Sequence, residues 1–181
     1  MKYAIVKPCG IFGDTASESI LFNNAAYVLR RTPLFLLPQN GMAGFQPIYV
    51  HDMVKLIINV GHLSPTTTGE ELDAVGPRPI PALELFRTLR DQTNPYCFVV
   101  PSYLPTWMIG NMTKPLDWYT GDVLLDTEDL NLMYDGLTVA DDPEDTRIQG
   151  RKCVLDWMEE MGSELGKEYV HSVNRYYYLR E

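Results

Sequence analysis

The chain has 181 residues, 45% hydrophobic and 22% charged, with a net charge of −9. That balance excludes a disordered chain, and the acidic excess leaves no basic stripe to displace phosphate counterions, so no nucleic-acid partner is expected. No apolar run reaches the roughly 18 residues of a membrane span, and Cys9, Cys97 and Cys153 are spaced as reduced thiols, not as a disulfide frame or zinc site. One domain over residues 1–181 is the expectation from length. Without a secretory h-region or cleavage site at the amino terminus, a cytoplasmic location is expected.

Residues 3–6 read as a strand closed by Lys7-Pro8. Residues 17–31 turn helical, with Ile20, Leu21, Ala25, Val28 and Leu29 near a 3.6-residue period and Pro33 as the stop. A short apolar run, 34–37, and a glycine-containing turn follow. Ile48, Tyr49 and Val50 favour a strand, and Asp52 is the expected cap of a helix burying Met53, Leu56, Ile57 and Val60, with Gly61 as its end. After a loop, residues 71–75 read as a strand, 81–92 as a helix, 96–100 as a strand and 102–112 as a helix. Asp126 is the expected cap of a helix over 127–135. An acidic loop with Asp141, Asp142, Glu144 and Asp145 lacks calcium-loop spacing, and residues 150–178 read as two helical pieces parted near Gly162. Strands alternating with helices predict an α/β fold with parallel pairing.

Two patterns near the start imitate an enzyme. Tyr3 and Lys7 have Y-x-x-x-K spacing, which serves catalysis only where a helix stacks positions i and i+4. Pro8 pushes Lys7 out of the helical region, and on a strand the two side chains stand about 13 Å apart. Gly10, Gly13 and Ala16 have the spacing of a dinucleotide turn, but Pro8 removes an amide before it and Asp14 would face the phosphates. Neither pattern is read as a site.

The run Lys7-Pro8-Cys9-Gly10-Ile11-Phe12-Gly13 resembles the strand and loop that follow the catalytic helix in extended and atypical short-chain dehydrogenase/reductases, the NAD-dependent epimerase/dehydratase-like group. "FQPIYVHDMVKLI" resembles that family's strand and Asp-capped helix, and "ELDAVGPRPIPALELFRTLRD" its next strand, Gly-Pro turn and helix. "GDVLLDTEDLNLM" and "LGKEYVHSVNRYYY" resemble a bacterial branch related to the NAD(P)H-binding accessory subunit of respiratory complex I. The matches follow the family's order along nearly the whole chain. A true G-x-x-G-x-x-G turn, a helical Y-x-x-x-K and a placeable catalytic Ser or Thr are missing. The resemblance therefore implies the carboxy-terminal half of such a protein: a partial Rossmann-like parallel sheet, a small α/β substrate-side subdomain and carboxy-terminal helices.

What the resemblance implies for sites follows by position. Pro8, Cys9, Gly10 and Ile11 inherit the loop that passes the nicotinamide end of NAD or NADP, although turn chemistry alone would also explain Pro8 and Gly10. Asn23 and Asn24, on the first helix, and Gln46, Tyr49 and His51, around the next strand, border the family's substrate cleft. A polar helix face is the competing reading for the two asparagines. Cys9 has no nearby His in sequence and reads as a small hydrophobe, not a nucleophile. Trp107, Met108, Met112, Trp118 and Met133 read as core by default, although Met- and aromatic-rich helices also make partner surfaces. The implied partners are a nucleotide-binding amino-terminal half or a partner subunit, with a small-molecule substrate. A mitochondrial or complex-associated location is the alternative to the cytoplasm. An edge strand left open at Tyr3 is expected to promote self-association.

Overall fold

The computed structural model describes residues 3–63, 69–121, 131, 136, 138–141 and 149–170. In chain order the elements are β1 (Ala4–Pro8), β2 (Ile11–Phe12), α1 (Ile20–Arg31), β3 (Leu34–Leu37), β4 (Gly44–Phe45), β5 (Ile48–Tyr49), α2 (Val50–Leu63), β6 (Glu70–Ala74), β7 (Ile80–Pro81), α3 (Ala82–Thr93), β8 (Phe98–Pro101), α4 (Thr106–Thr120) and α5 (Val154–Met161). The pairs β1–β6, β2–β5 and β3–β8 are parallel, and β4–β7 is antiparallel. Parallel partners need long crossovers, which the helices supply. The fold is α/β, as the alternation predicts.

The core gathers where three amphipathic helices meet. Phe22, Ala26 and Leu29 of α1, Leu85, Phe86 and Leu89 of α3, and Val154, Trp157 and Met158 of α5 are buried. These positions recur at three- and four-residue steps, so each helix turns one stripe inward. The ring of Trp157 lies 5.3 Å from Phe12 and 6.0 Å from Phe22. Each such side chain contributes roughly 1.5–3 kcal/mol by leaving water.

Arg30 ties the helix ends together. Its Nε donates to the Leu165 carbonyl (2.7 Å), Nη1 to Thr93 (3.2 Å), and Nη2 to Gly162 and Ser163 (both 3.3 Å). The last carbonyls of a helix have no partner within it, and one guanidinium serves two helix ends here. Gly166, at φ +70°, lets the chain pass against α1: a Cβ there would lie 2.4 Å from backbone atoms of Ala26 and Tyr27. The second helical piece expected after Gly162 is accordingly replaced, through residue 168, by turns and bends whose carbonyls the arginines hold. Residues 171–178 of that expectation, like those of the helix over 127–135 apart from Asn131, lie outside the described residues, as do Asp142, Glu144 and Asp145.

Other boundaries shift for local reasons. A 3-10 turn, Ala16–Glu18, precedes α1 because Thr15 and Glu18 form a capping box. Helix α2 starts at Val50, before Asp52, and runs past Gly61 to Leu63. Asp52 spends its carboxylate on the amides of Arg151 (2.8 Å) and Lys152 (3.2 Å). The helix expected over 102–112 lies instead at Thr106–Thr120, after the Pro101–Pro105 stretch. Trp107, Met108 and Trp118 are exposed on it, not core; the side chain of Met112 and all of Met133 lie outside the description.

One part of the molecule is not closed. Among the described residues β1 pairs only with β6, and Ile5 is exposed on it. Helix α2 likewise buries none of its described side chains; Met53, Leu56 and Val60 are half-buried, and Val54, Ile57 and Ile58 are exposed. Ile57 corrects the expected inward face.

Candidate functional site

Gly10 turns the chain from one parallel pair to the next. Pro8 ends β1 opposite Ala74, and the Cys9 amide still donates to the Ala74 carbonyl at 3.4 Å. Gly10 then takes φ +134°, open to glycine and strained for other residues, and its carbonyl accepts from Ile48 N at 2.8 Å. Ile11 follows in β2, opposite Ile48 of β5. The four residues thus pass the carboxyl end of β1 and β6, where open α/β sheets place ligands. Burial first, then Asp73 and Asp141, push the Cys9 thiol up to about 11, so it stays protonated and unreactive at neutral pH.

A polar cluster lies where the β2–β5 pair ends. Phe12 opposes Tyr49, and Asp14, two residues on, meets Tyr49 and His51, the latter in the first turn of α2. The Tyr49 hydroxyl donates to Asp14 Oδ1, and His51 Nε2 lies 2.7 Å from Asp14 Oδ2. The Tyr49 hydroxyl, then His51, hold the Asp14 carboxyl below its usual range. In return the Asp14 carboxylate, aided by burial, pushes Tyr49 up to about 12. Lys152 Nζ sits 5.0 Å over the Tyr49 ring and pairs with Glu160 at 2.6 Å. A tyrosine and a lysine therefore do meet in space, but face-on, and with the phenol made less acidic. That is the reverse of an activated proton donor.

Asp14 also lines an open cleft of about 500 Å³, with Thr15, Ser17 and Asn23 on one side and Glu164, Lys167 and Tyr169 among the residues opposite. The asparagines are already occupied. Asn23 donates to the Glu168 carbonyl (2.9 Å) and accepts from Gly166 N (3.0 Å); Asn24 exchanges both bonds with the Val170 backbone (3.2 Å each). Gln46 is fully buried, donating to the Gly76 carbonyl (3.1 Å) and accepting from Ala140 N (3.3 Å). The structure thus joins Gly10 and Ile11 to Tyr49 through β2–β5, and brings Asn23 to the Asp14 cleft. It gives both asparagine amides and Gln46 backbone partners.

Tyr3 and Lys7 lie in extended chain, and Lys7 pairs with Glu71 (3.2 Å) and Asp73 (3.3 Å). Among the described residues no group of three or more His, Cys, Asp or Glu side chains is placed to hold a metal. Asp14 and His51 were the pair that periodicity could not supply, since two-residue strands carry no repeat and the two meet only where β2–β5 gives way to α2. A comparison with models of known protein families and with curated proteins finds no match for the chain.

Proposed function

We propose that the chain is the substrate-side portion of an NAD(P)-dependent epimerase/dehydratase-like oxidoreductase, completed by a separate nucleotide-binding half and incapable of hydride transfer by itself. One observation carries the reading: among the described residues the parallel pair β1–β6 is continued by no further strand at β1, and the apolar helix α2, which leads into β6, buries none of its described side chains. Parallel strands are almost always buried on both faces and continued by further strands. A Rossmann-like sheet docking at β1 would continue that pair. Pro8, Cys9, Gly10 and Ile11 fit the rim of a cofactor site, being a glycine-containing bend at the carboxyl end of the strands. They do not make a complete one, because no glycine-rich turn opening a helix accompanies them among the described residues. The bound nicotinamide would supply the hydride chemistry; this chain would shape the pocket at Tyr49, Asp14 and His51.

A fluorescence titration of the isolated chain with NADPH tests this. No saturable enhancement tighter than about 1 mM is expected; a micromolar dissociation constant would contradict the reading. A second reading, a non-catalytic accessory module of a larger assembly such as a respiratory complex, is favoured by Asn23, Asn24 and Gln46, whose polar groups serve the backbone. Native gel filtration separates the two: co-migration with a large membrane complex supports the module, and a small complex with a nucleotide-binding chain supports the oxidoreductase.

A further inference from the structure

The Asp14 cluster leaves one nitrogen uncommitted. The Tyr49 hydroxyl donates to Asp14 Oδ1, and Lys152 Nζ pairs with Glu160 at 2.6 Å. His51 Nε2 lies 2.7 Å from Asp14 Oδ2. An ionised carboxylate can only accept, so Nε2 carries the proton of that bond and the lone pair of the neutral ring falls to Nδ1. Nδ1 has no hydrogen-bond partner among the described residues, and the side chain is 57% exposed. A carboxylate that fixes the tautomer of an imidazole also stabilises the imidazolium formed when the far nitrogen takes a proton. The pair is anchored from below: the Tyr49 ring lies 5.2 Å from His51 and 5.4 Å from Phe12, which is fully buried.

Asp14 belongs at the same time to the wall of the open cleft, which Thr15, Ser17 and Lys167 also line. Hydroxyl and ammonium groups bind hydroxyl and carbonyl oxygens. That lining suits a small hydroxylated carbonyl compound, and a positioned imidazole is a competent base for the C–H beside its carbonyl. We propose that His51 is the proton-transferring residue of this pocket, with Asp14 as its positioning residue. Nδ1 takes a proton from the carbon next to the ligand's carbonyl. A C–H bond breaks, an N–H bond forms, and the electron pair moves onto the carbonyl oxygen as an enolate. The imidazolium, held by Asp14, exchanges its proton with water and returns one to that carbon, so no co-reactant is consumed. This role rests on the reading of the cluster as the substrate pocket but needs no nucleotide.

The test is deuterium uptake by dihydroxyacetone in heavy water, with the full chain and no nucleotide, followed as loss of the methylene proton signal. Nitrogen NMR of the imidazoles is read alongside. Exchange about tenfold or more above the same concentration of free imidazole is expected, with the proton of neutral His51 on Nε2. His51→Gln should bring exchange down to the free-imidazole level with the melting temperature unchanged. His62→Gln, at an exposed position in the last turn of α2, should leave exchange as it is. Asp14→Asn should lower exchange about tenfold and mix the two His51 tautomers, a signature that a merely structural role would not move. The proposal is overturned by exchange no faster than with free imidazole, by exchange that survives His51→Gln, by a proton on Nδ1, or by Asp14→Asn changing neither readout. Micromolar NADPH binding would remove the oxidoreductase reading and leave these results standing, so the two failures are told apart.

Discussion

Helices α1 and α2 differ little in length, and the more apolar of the two, α2, is the one left uncovered. Five residues of α1 are buried against α3, α5 and the turn at Gly166, while α2 buries none of its described side chains. The difference teaches that an apolar stripe records what a helix needs, not what the chain supplies. One region is closed by its own segments, and among the described residues the other is not.

The largest effect should come from breaking the closed region. Gly166→Ala would press a methyl onto the α1 backbone, 2.4 Å from Ala26 and Tyr27, at a backbone φ of +70°. A loss of about 3 kcal/mol or more is expected in urea denaturation, since neither backbone can yield cheaply. A loss under about 1 kcal/mol would mean that the 162–170 segment does not close on α1 as described.

Matched substitutions then sharpen the contrast. Leu85→Ala, in the core, should cost about 2–5 kcal/mol. Ile57→Gln, at the 50% exposed position of α2, should stay within about 0.5 kcal/mol and reduce self-association. Equal losses at the two sites would erase the distinction between the regions. Arg30→Met comes next: it leaves carbonyls of α3 and of the turn after α5 without their donor, and about 2 kcal/mol is expected. Gel filtration of Ile57→Gln and denaturation of Arg30→Met are the readouts.

How much of this was legible follows the same line. The stripes of α1 and α3 could be read because a 3.6-residue repeat is local, and so could the alternation that gives α/β. The stripe of α2 was equally legible, yet its burial was not, because burial depends on a cover that periodicity does not encode. Residue pairs β2, β4 and β7 are too short to carry a period. Asn23 and Asn24 stood out as polar positions, but their backbone partners lie more than 140 residues away. The aromatics of α4 were read as core from composition alone, although exposure depends on tertiary placement.

The smallest effect concerns the joint between the two regions. Asp14 follows β2, whose Phe12 is fully buried in the core, and its partners Tyr49 and His51 stand at the start of the open α2 segment. Asp14 titrates below its ordinary 3.8, first through Tyr49 and then His51, so its contribution is complete above 3.8 and is lost as pH falls through the lowered value. Tyr49 is raised by Asp14 from 10.0 to about 12, so its donated proton is fully held below 10 and lost as pH rises through about 12. The joint is therefore intact between those limits. Tyr49→Phe should move the Asp14 carboxyl titration, followed by carbon NMR, upward toward 3.8, and His51→Asn should move it less, because the hydroxyl is the larger influence. Both groups are solvent-facing, so the shift belongs in the titration curve more than in the melting temperature. An Asp14 titration unmoved by Tyr49→Phe would mean that the Tyr49 hydroxyl does not reach Asp14, so that only the β2–β5 pairing and the Asp52 bonds to the Arg151 and Lys152 amides hold this end of α2 to the core.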